Sequence, residues 1–140
     1  MAAKEQLKEN QFVRSKLFGG NKSAIRRYAD LVVGSDAGYW QLFKYELVTT
    51  LLGRLPGALG LVLRRIFYPG LFKSCGRGVV FGYDVVVRNG KNVTVGDNVI
   101  FDDGCLVDGR GAGPELVVIG NRVILNRGVM LQAKIGPVHI

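Results

Sequence analysis

Between Cys75 and Ile140 the apolar positions recur every six residues. Cys75-Gly76-Arg77-Gly78-Val79-Val80 runs into Phe81-Gly82-Tyr83-Asp84-Val85-Val86. The pattern returns in Val95-Gly96-Asp97-Asn98-Val99-Ile100, Phe101-Asp102-Asp103-Gly104-Cys105-Leu106, Ile119-Gly120-Asn121-Arg122-Val123-Ile124 and Leu125-Asn126-Arg127-Gly128-Val129-Met130. The first residue is apolar, the second is Gly, Asp or Asn, and the fifth is Val or Cys. A short fixed period decides architecture before local propensity does. First positions fall at 75, 81 and 87, at 95, 101 and 107, at 119, 125 and 131, and at 140, so extra residues enter only at every third corner. This phase predicts a mainly β fold over residues 75–140, a triangular parallel solenoid with 18 core residues per turn. Positions one and five face inward and stack on their equivalents at the strand spacing of about 4.8 Å. Position two is expected to hold the turn, where Gly, Asn and Asp tolerate unusual backbone angles. An antiparallel β domain would give no reason for insertions to recur at one phase.

Residues 1–74 show the helical period instead. A helix is predicted over residues 3–18, with a weak stripe of Leu7, Val13 and Leu17, and Gly19-Gly20 stop it. Asn21 or Ser23 can cap a second helix over Ala24–Val33, ended by Gly34. Asp36 can cap a third over 37–52. Pro56 and the glycines from Gly53 to Gly60 break the chain, and Leu59–Tyr68 read as a fourth helix ended by Pro69-Gly70. Residues 47–63 carry one charge, Arg54, but are too short and too interrupted for a span of about 20 residues.

Charge sharpens this boundary. Residues 1–77 hold 13 Lys/Arg against 5 Asp/Glu, whereas residues 78–140 hold 6 of each. All the excess positive charge, +8, therefore precedes the repeats. Two readings follow for the apolar helices with Lys44, Arg54, Arg64, Arg65 and Lys73 around them. They cap the open end of the repeat unit, as repeat ends require, or they rest on an anionic membrane surface. No DNA- or RNA-binding motif accompanies the charge, so nucleic acid is not expected. Cys75 and Cys105 fall at inward positions and read as small buried hydrophobes. Neither a CxxC nor a histidine cluster is present, so no metal is expected. No secretory signal opens the chain. The expected location is cytoplasmic, with a peripheral seat at the inner membrane face if the helices bind lipid.

Val95-Gly96-Asp97-Asn98-Val99, Ile119-Gly120-Asn121-Arg122-Val123 and Leu125-Asn126-Arg127-Gly128-Val129 resemble the turns of the hexapeptide-repeat acyltransferases, [LIV]-[GAED]-x-x-[STAV]-x. Phe101 to Asp108 looks most like the branch of maltose, galactoside and exopolysaccharide O-acetyltransferases. Arg64-Arg65-Ile66-Phe67-Tyr68-Pro69 is similar to the leader of polysaccharide-cluster members. The resemblance implies a left-handed parallel β-helix and homotrimers with sites between subunits. Acetyl-CoA is then the acyl-donor substrate, with no permanently bound cofactor. A histidine acts as general base on a saccharide hydroxyl, a weak nucleophile whose proton imidazole can take near neutral pH.

The candidate residues are few. By count the family's histidine falls near Gly136, three residues before His139, the sole histidine. Alternation turns His139 outward between Val138 and Ile140, stacked on Thr94 and Val118, and so makes it a surface strand residue before it makes it a base. Ile140 is itself a first position, so the sequence reads as the N-terminal part of a longer repeat, with the base expected after residue 140. Catalytic and cofactor-binding residues within the chain thus stay unassigned. Asp102, Asp103 and Asp108 are candidate cleft groups, although turns accept Asp for their own reasons. Asn121 and Asn126 are turn residues by register. Arg110, in Gly109-Arg110-Gly111-Ala112-Gly113-Pro114-Glu115, is a candidate for a CoA phosphate. Two other functions compete with acyl transfer. One is a non-catalytic scaffold or oligomerisation module. The other is zinc carbonic anhydrase chemistry, which needs three histidines where the chain has one.

Overall fold

A strand of two or three residues cannot stand alone, so each must hydrogen-bond to its equivalent in the next layer. The computed structural model describes residues 2–18, 23–111, 117–133 and 136–140. Four helices come first: α1 (Ala2–Phe18), α2 (Ala24–Val32), α3 (Tyr39–Leu52) and α4 (Gly57–Phe67). A 3-10 turn over Tyr68–Leu71 leads into ten strands. These are β1 (Ser74–Cys75), β2 (Val80–Phe81), β3 (Val86–Arg88), β4 (Val93–Val95), β5 (Ile100–Phe101), β6 (Leu106–Asp108), β7 (Val117–Ile119), β8 (Ile124–Leu125), β9 (Met130–Gln132) and β10 (Val138–His139). They form three parallel stacks, ordered β1-β4-β7-β10, β2-β5-β8 and β3-β6-β9. Cys75 pairs with Val95 and Val95 with Ile119, Phe81 with Phe101 and Phe101 with Leu125, and Val87 with Val107 and Val107 with Leu131.

The expected fold class, a mainly β left-handed solenoid, is corrected. Helices of 17, 9, 14 and 11 residues outweigh strands of two or three residues each. The strands stand as three separate parallel stacks, an arrangement compatible with a β-helix. The cause is local: position four of the hexads takes a left-handed backbone, which cuts every extended run short. Gly78, Asp84, Asn98, Gly104, Arg122 and Gly128 all have φ between 55° and 74°. The turn therefore sits two residues later than expected.

Position two serves a different purpose. The side-chain oxygen at position three accepts the position-three N–H of the preceding layer: Asp97 from Arg77 at 2.8 Å, Asp103 from Tyr83 at 2.7 Å and Asn121 from Asp97 at 2.8 Å. A Cβ on Gly96 would lie 2.5 Å from the Asn121 Oδ1 and 2.7 Å from the Gly120 carbonyl. Glycine is thus present at position two for room, not for an unusual φ.

Positions one and five fill the interior. Val79, Phe81, Val85, Val87, Val95, Val99, Phe101, Cys105, Val107, Ile119 and Leu125 are buried in one cluster. Its helical end is aromatic. Phe81 and Phe101 stack with ring centroids 5.0 Å apart, Phe72 lies 5.7 Å from Phe81, and Tyr68 lies 5.3 Å from Phe81. Val48 of α3 joins the same cluster.

α2, α3 and α4 are fastened to the stacks by a few polar contacts. The Tyr45 hydroxyl donates to the Val87 carbonyl at 2.8 Å, and Asn89 donates through Nδ2 to the Leu31 carbonyl at 2.6 Å. Arg64, expected among the surface cations, is buried instead. It donates to the carbonyls of Phe81 (3.1 Å), Leu52 (2.9 Å) and Leu55 (2.7 Å), groups that would otherwise be hard to satisfy away from water. Ser23 caps α2 through the Arg26 N–H, and Gly34 ends it at φ 114°. Asn21 lies outside the described residues. Asp36 does not cap α3. Its N-cap is Gly38, whose N–H is taken by the Gln41 side chain, and Asp36 faces Lys91 at 3.7 Å.

Candidate functional site

Two of the three candidate carboxylates, Asp102 and Asp103, are held in a turn. Asp103 spends one oxygen on the Tyr83 N–H and meets Arg127 with the other at 3.3 Å, while Asp102 accepts the Asp103 N–H at 2.8 Å. Asp108 ends β6 at a corner, level with Arg88 before it and Gln132 after it. It is 2 % exposed and pairs with Arg110, Nε to Oδ2, at 2.5 Å. Arg110 also gives its backbone N–H to Asp108. The guanidinium expected to reach for a CoA phosphate is thus engaged by its own neighbour. Residues 112–116 of that loop lie outside the described residues.

His139 pairs with Val118, which pairs with Thr94, so the imidazole stands exposed at the end of an outward column. Among the described residues no hydrogen bond or ion pair joins His139 to Asp102, Asp103, Asp108 or Arg110. Asn121 serves its turn as a side-chain acceptor, and the Asn126 backbone carbonyl accepts the Val129 N–H at 3.1 Å. Among the described residues no group of three or more His, Cys, Asp or Glu could hold a metal ion.

Burial is the main influence on Tyr28, Tyr45, Tyr68, Cys75 and Cys105. It pushes the Tyr68 phenol up to about 12 and raises Tyr45 above the usual tyrosine value. Tyr28 is also pushed up to about 12, by burial first and by its hydrogen bond to Glu46 second. Cys75 rises to about 11 and Cys105 rises as well, both chiefly through burial. Both thiols are free and remain protonated near neutral pH, so neither is poised as a nucleophile.

Two features escaped the sequence. The first is a cleft of about 420 Å³ between α3 and the stacks, where Asp36, Gln41, Lys44, Tyr45 and Lys91 meet apolar residues. Its lining is drawn from three separate stretches of chain, near residues 32–45, 70–72 and 87–91, and no periodicity links them. The second, which the sequence offered only as one of two readings and without its residues, is the outer surface of α3 and α4. Trp40, Phe43, Leu47 and Leu51 are 73, 55, 48 and 60 % exposed, and Leu59, Val62 and Ile66 are 64, 51 and 62 % exposed. The spacing that reveals these stripes was present in the sequence, hidden because α3 is apolar on both sides. Among the described residues no helix is long and apolar enough to cross a membrane. Comparison with protein-family models, with curated proteins and with solved structures finds no match for the chain.

Proposed function

We propose that the protein is an O-acyltransferase of the hexapeptide-repeat type, moving an acetyl group from acetyl-CoA to a hydroxyl of a saccharide or polysaccharide precursor. The observation that supports the reading is the equivalence of its hexads. Val95-Gly96-Asp97-Asn98-Val99 stacks in register beneath Ile119-Gly120-Asn121-Arg122-Val123, with the same corner bond between Asp97 and Asn121. The motif that carries the resemblance is thus a structural unit and not a chance run of small residues. The proposed assembly is a homotrimer with sites between subunits. The outward column Val80, Ile100 and Ile124 offers it an apolar contact, since Ile100 and Ile124 are 38 and 62 % exposed.

In the reaction the acceptor oxygen attacks the thioester carbon as a base removes its proton. The C–O bond forms, the C–S bond breaks, and CoA leaves as a thiolate that takes up a proton. Because stacked hexads alone do not fix a chemistry, turnover is the test. The full chain mixed with acetyl-CoA and saccharide acceptors should release free thiol only when acceptor is present. No acceptor-dependent release, together with no binding of CoA, overturns the proposal in favour of a scaffold. His139→Ala locates the base. An unchanged rate places it elsewhere, as the exposed outward position suggests, whereas a loss of about a hundredfold or more assigns it to His139.

A further inference from the structure

A helix that is apolar all round is normally buried all round. α3 is not. Leu42, Tyr45 and Val48 are buried, while Trp40, Phe43, Leu47 and Leu51 form a second stripe on the opposite side at helical spacing. Trp40 and Phe43 stack at 5.7 Å, so the start of this stripe is continuous. α4 repeats the arrangement. It is anchored to the stacks through buried Arg64 and turns Leu59, Val62 and Ile66 to solvent. Both helices lie on the same strand unit, and their exposed stripes point away from it.

Charge identifies the occupant. From residue 37 to residue 83 the only acidic side chain is Glu46, and it is hydrogen-bonded to Tyr28. Lys44 and Arg65 are exposed on the same segment, whereas Arg54, also exposed, pairs with Asp84 at 3.3 Å. An apolar face set among cations suits a surface that is apolar inside and anionic at its rim. We propose that α3 and α4 seat the protein on an anionic lipid bilayer. The stripes enter the boundary between head groups and acyl chains, and Lys44 and Arg65 meet lipid phosphates. Trp40 and Tyr39, 73 and 63 % exposed at the start of α3, lie at the head-group level that amphipathic rings favour. The seating requires nothing of the acyl chemistry, so either proposal can fail alone.

Trp40 is the single tryptophan of the chain and reports directly on this face. The full protein is mixed at low salt with phosphatidylcholine vesicles, with or without about 30 % phosphatidylglycerol, and followed by sedimentation and tryptophan emission. Support is co-sedimentation with the anionic vesicles, a blue shift of Trp40, and release by high salt. Phe43→Ser with Leu47→Ser should weaken partitioning at least tenfold. Lys44→Glu and Arg65→Glu should each weaken it about fivefold. Those four sites are exposed, so circular dichroism and melting should match the parent. Three outcomes overturn the proposal. One is no binding to anionic vesicles. Another is binding without a change at Trp40, which moves the contact to a different surface. The third is self-association that shields Trp40 while vesicles are ignored, which gives the face to a second copy of the chain.

Discussion

In the strand stacks each layer meets the next through the same few contacts, whereas α2, α3 and α4 are each fastened by contacts of their own. The corner bonds of Asp97, Asp103 and Asn121 are copies of one another. Arg64, Tyr45 and Asn89 have no counterparts. Repetition spreads stability over many equivalent sites, as expected where each unit touches only its neighbours. Single fasteners concentrate it. The helices also leave apolar stripes in water, while the stacks bury most residues at positions one and five.

The comparison breaks first at the ring cluster both regions share. Phe101→Ala should cost about 4 kcal/mol, because the ring is fully buried and stacked on Phe81. A denaturant midpoint that hardly moved would mean the aromatic end is not the common core. Arg64→Leu should cost about 3 kcal/mol by leaving three carbonyls without their donor. Hydrogen exchange should show α4 loosening before the stacks do. Alkali distinguishes the regions next. Folded Tyr45 and Tyr68 hold their protons above the ordinary value of 10, Tyr68 up to about 12. The unfolded chain therefore loses protons first, and stability falls as pH rises past 10 toward 12. The melting temperature should drop over that window and the drop should shrink in Tyr68→Phe.

Gly96→Ala should cost about 2 kcal/mol, because its Cβ would strike the next layer's backbone. The matched control is Gly104→Asn. Gly104 has φ 72° and nothing within 4 Å of a Cβ, and Asn98 already tolerates this conformation at φ 55°. Its cost should be a few tenths of a kcal/mol. Equal costs at the two positions would refute the division between room and backbone angle. Asp97→Ala falls between the two, at about 1 kcal/mol for one lost corner bond, read by urea titration.

The inward set from Val79 to Leu125 was legible because a six-residue period leaves one choice of interior face. The division of labour at corners was not. Gly at position two and Gly at position four look alike in sequence, although one clears space for an oxygen and the other adopts a left-handed angle. The four helices were legible by period to within a few residues at their ends, but their inner and outer sides were not separable in α3, where both are apolar. Arg64 looked like any surface cation, because its carbonyl acceptors come from the end of α3 and the turn after it on one side and from β2 on the other. Of the candidate site, the outward station of His139 followed from alternation. The pairing of Asp108 with Arg110 is short in range yet unpatterned, and the cleft lined by Lys44 and Lys91 depends on how α3 lies against the stacks.

The corner bonds also give the stacks a direction. The N–H of Arg77 is met by Asp97, and the N–H of Asp97 by Asn121, so each layer is completed by residues that arrive later in the chain. The carbonyls follow the same order, with Asn98 donating back to Arg77 and Arg122 back to Asp97. No layer is therefore finished by itself, and growth from the aromatic end outward is the natural order of assembly. Length can change by whole layers without disturbing the pattern, because the donors and acceptors on either side of the cut are interchangeable. A one-residue change within a side would instead offset every later oxygen from the N–H waiting for it.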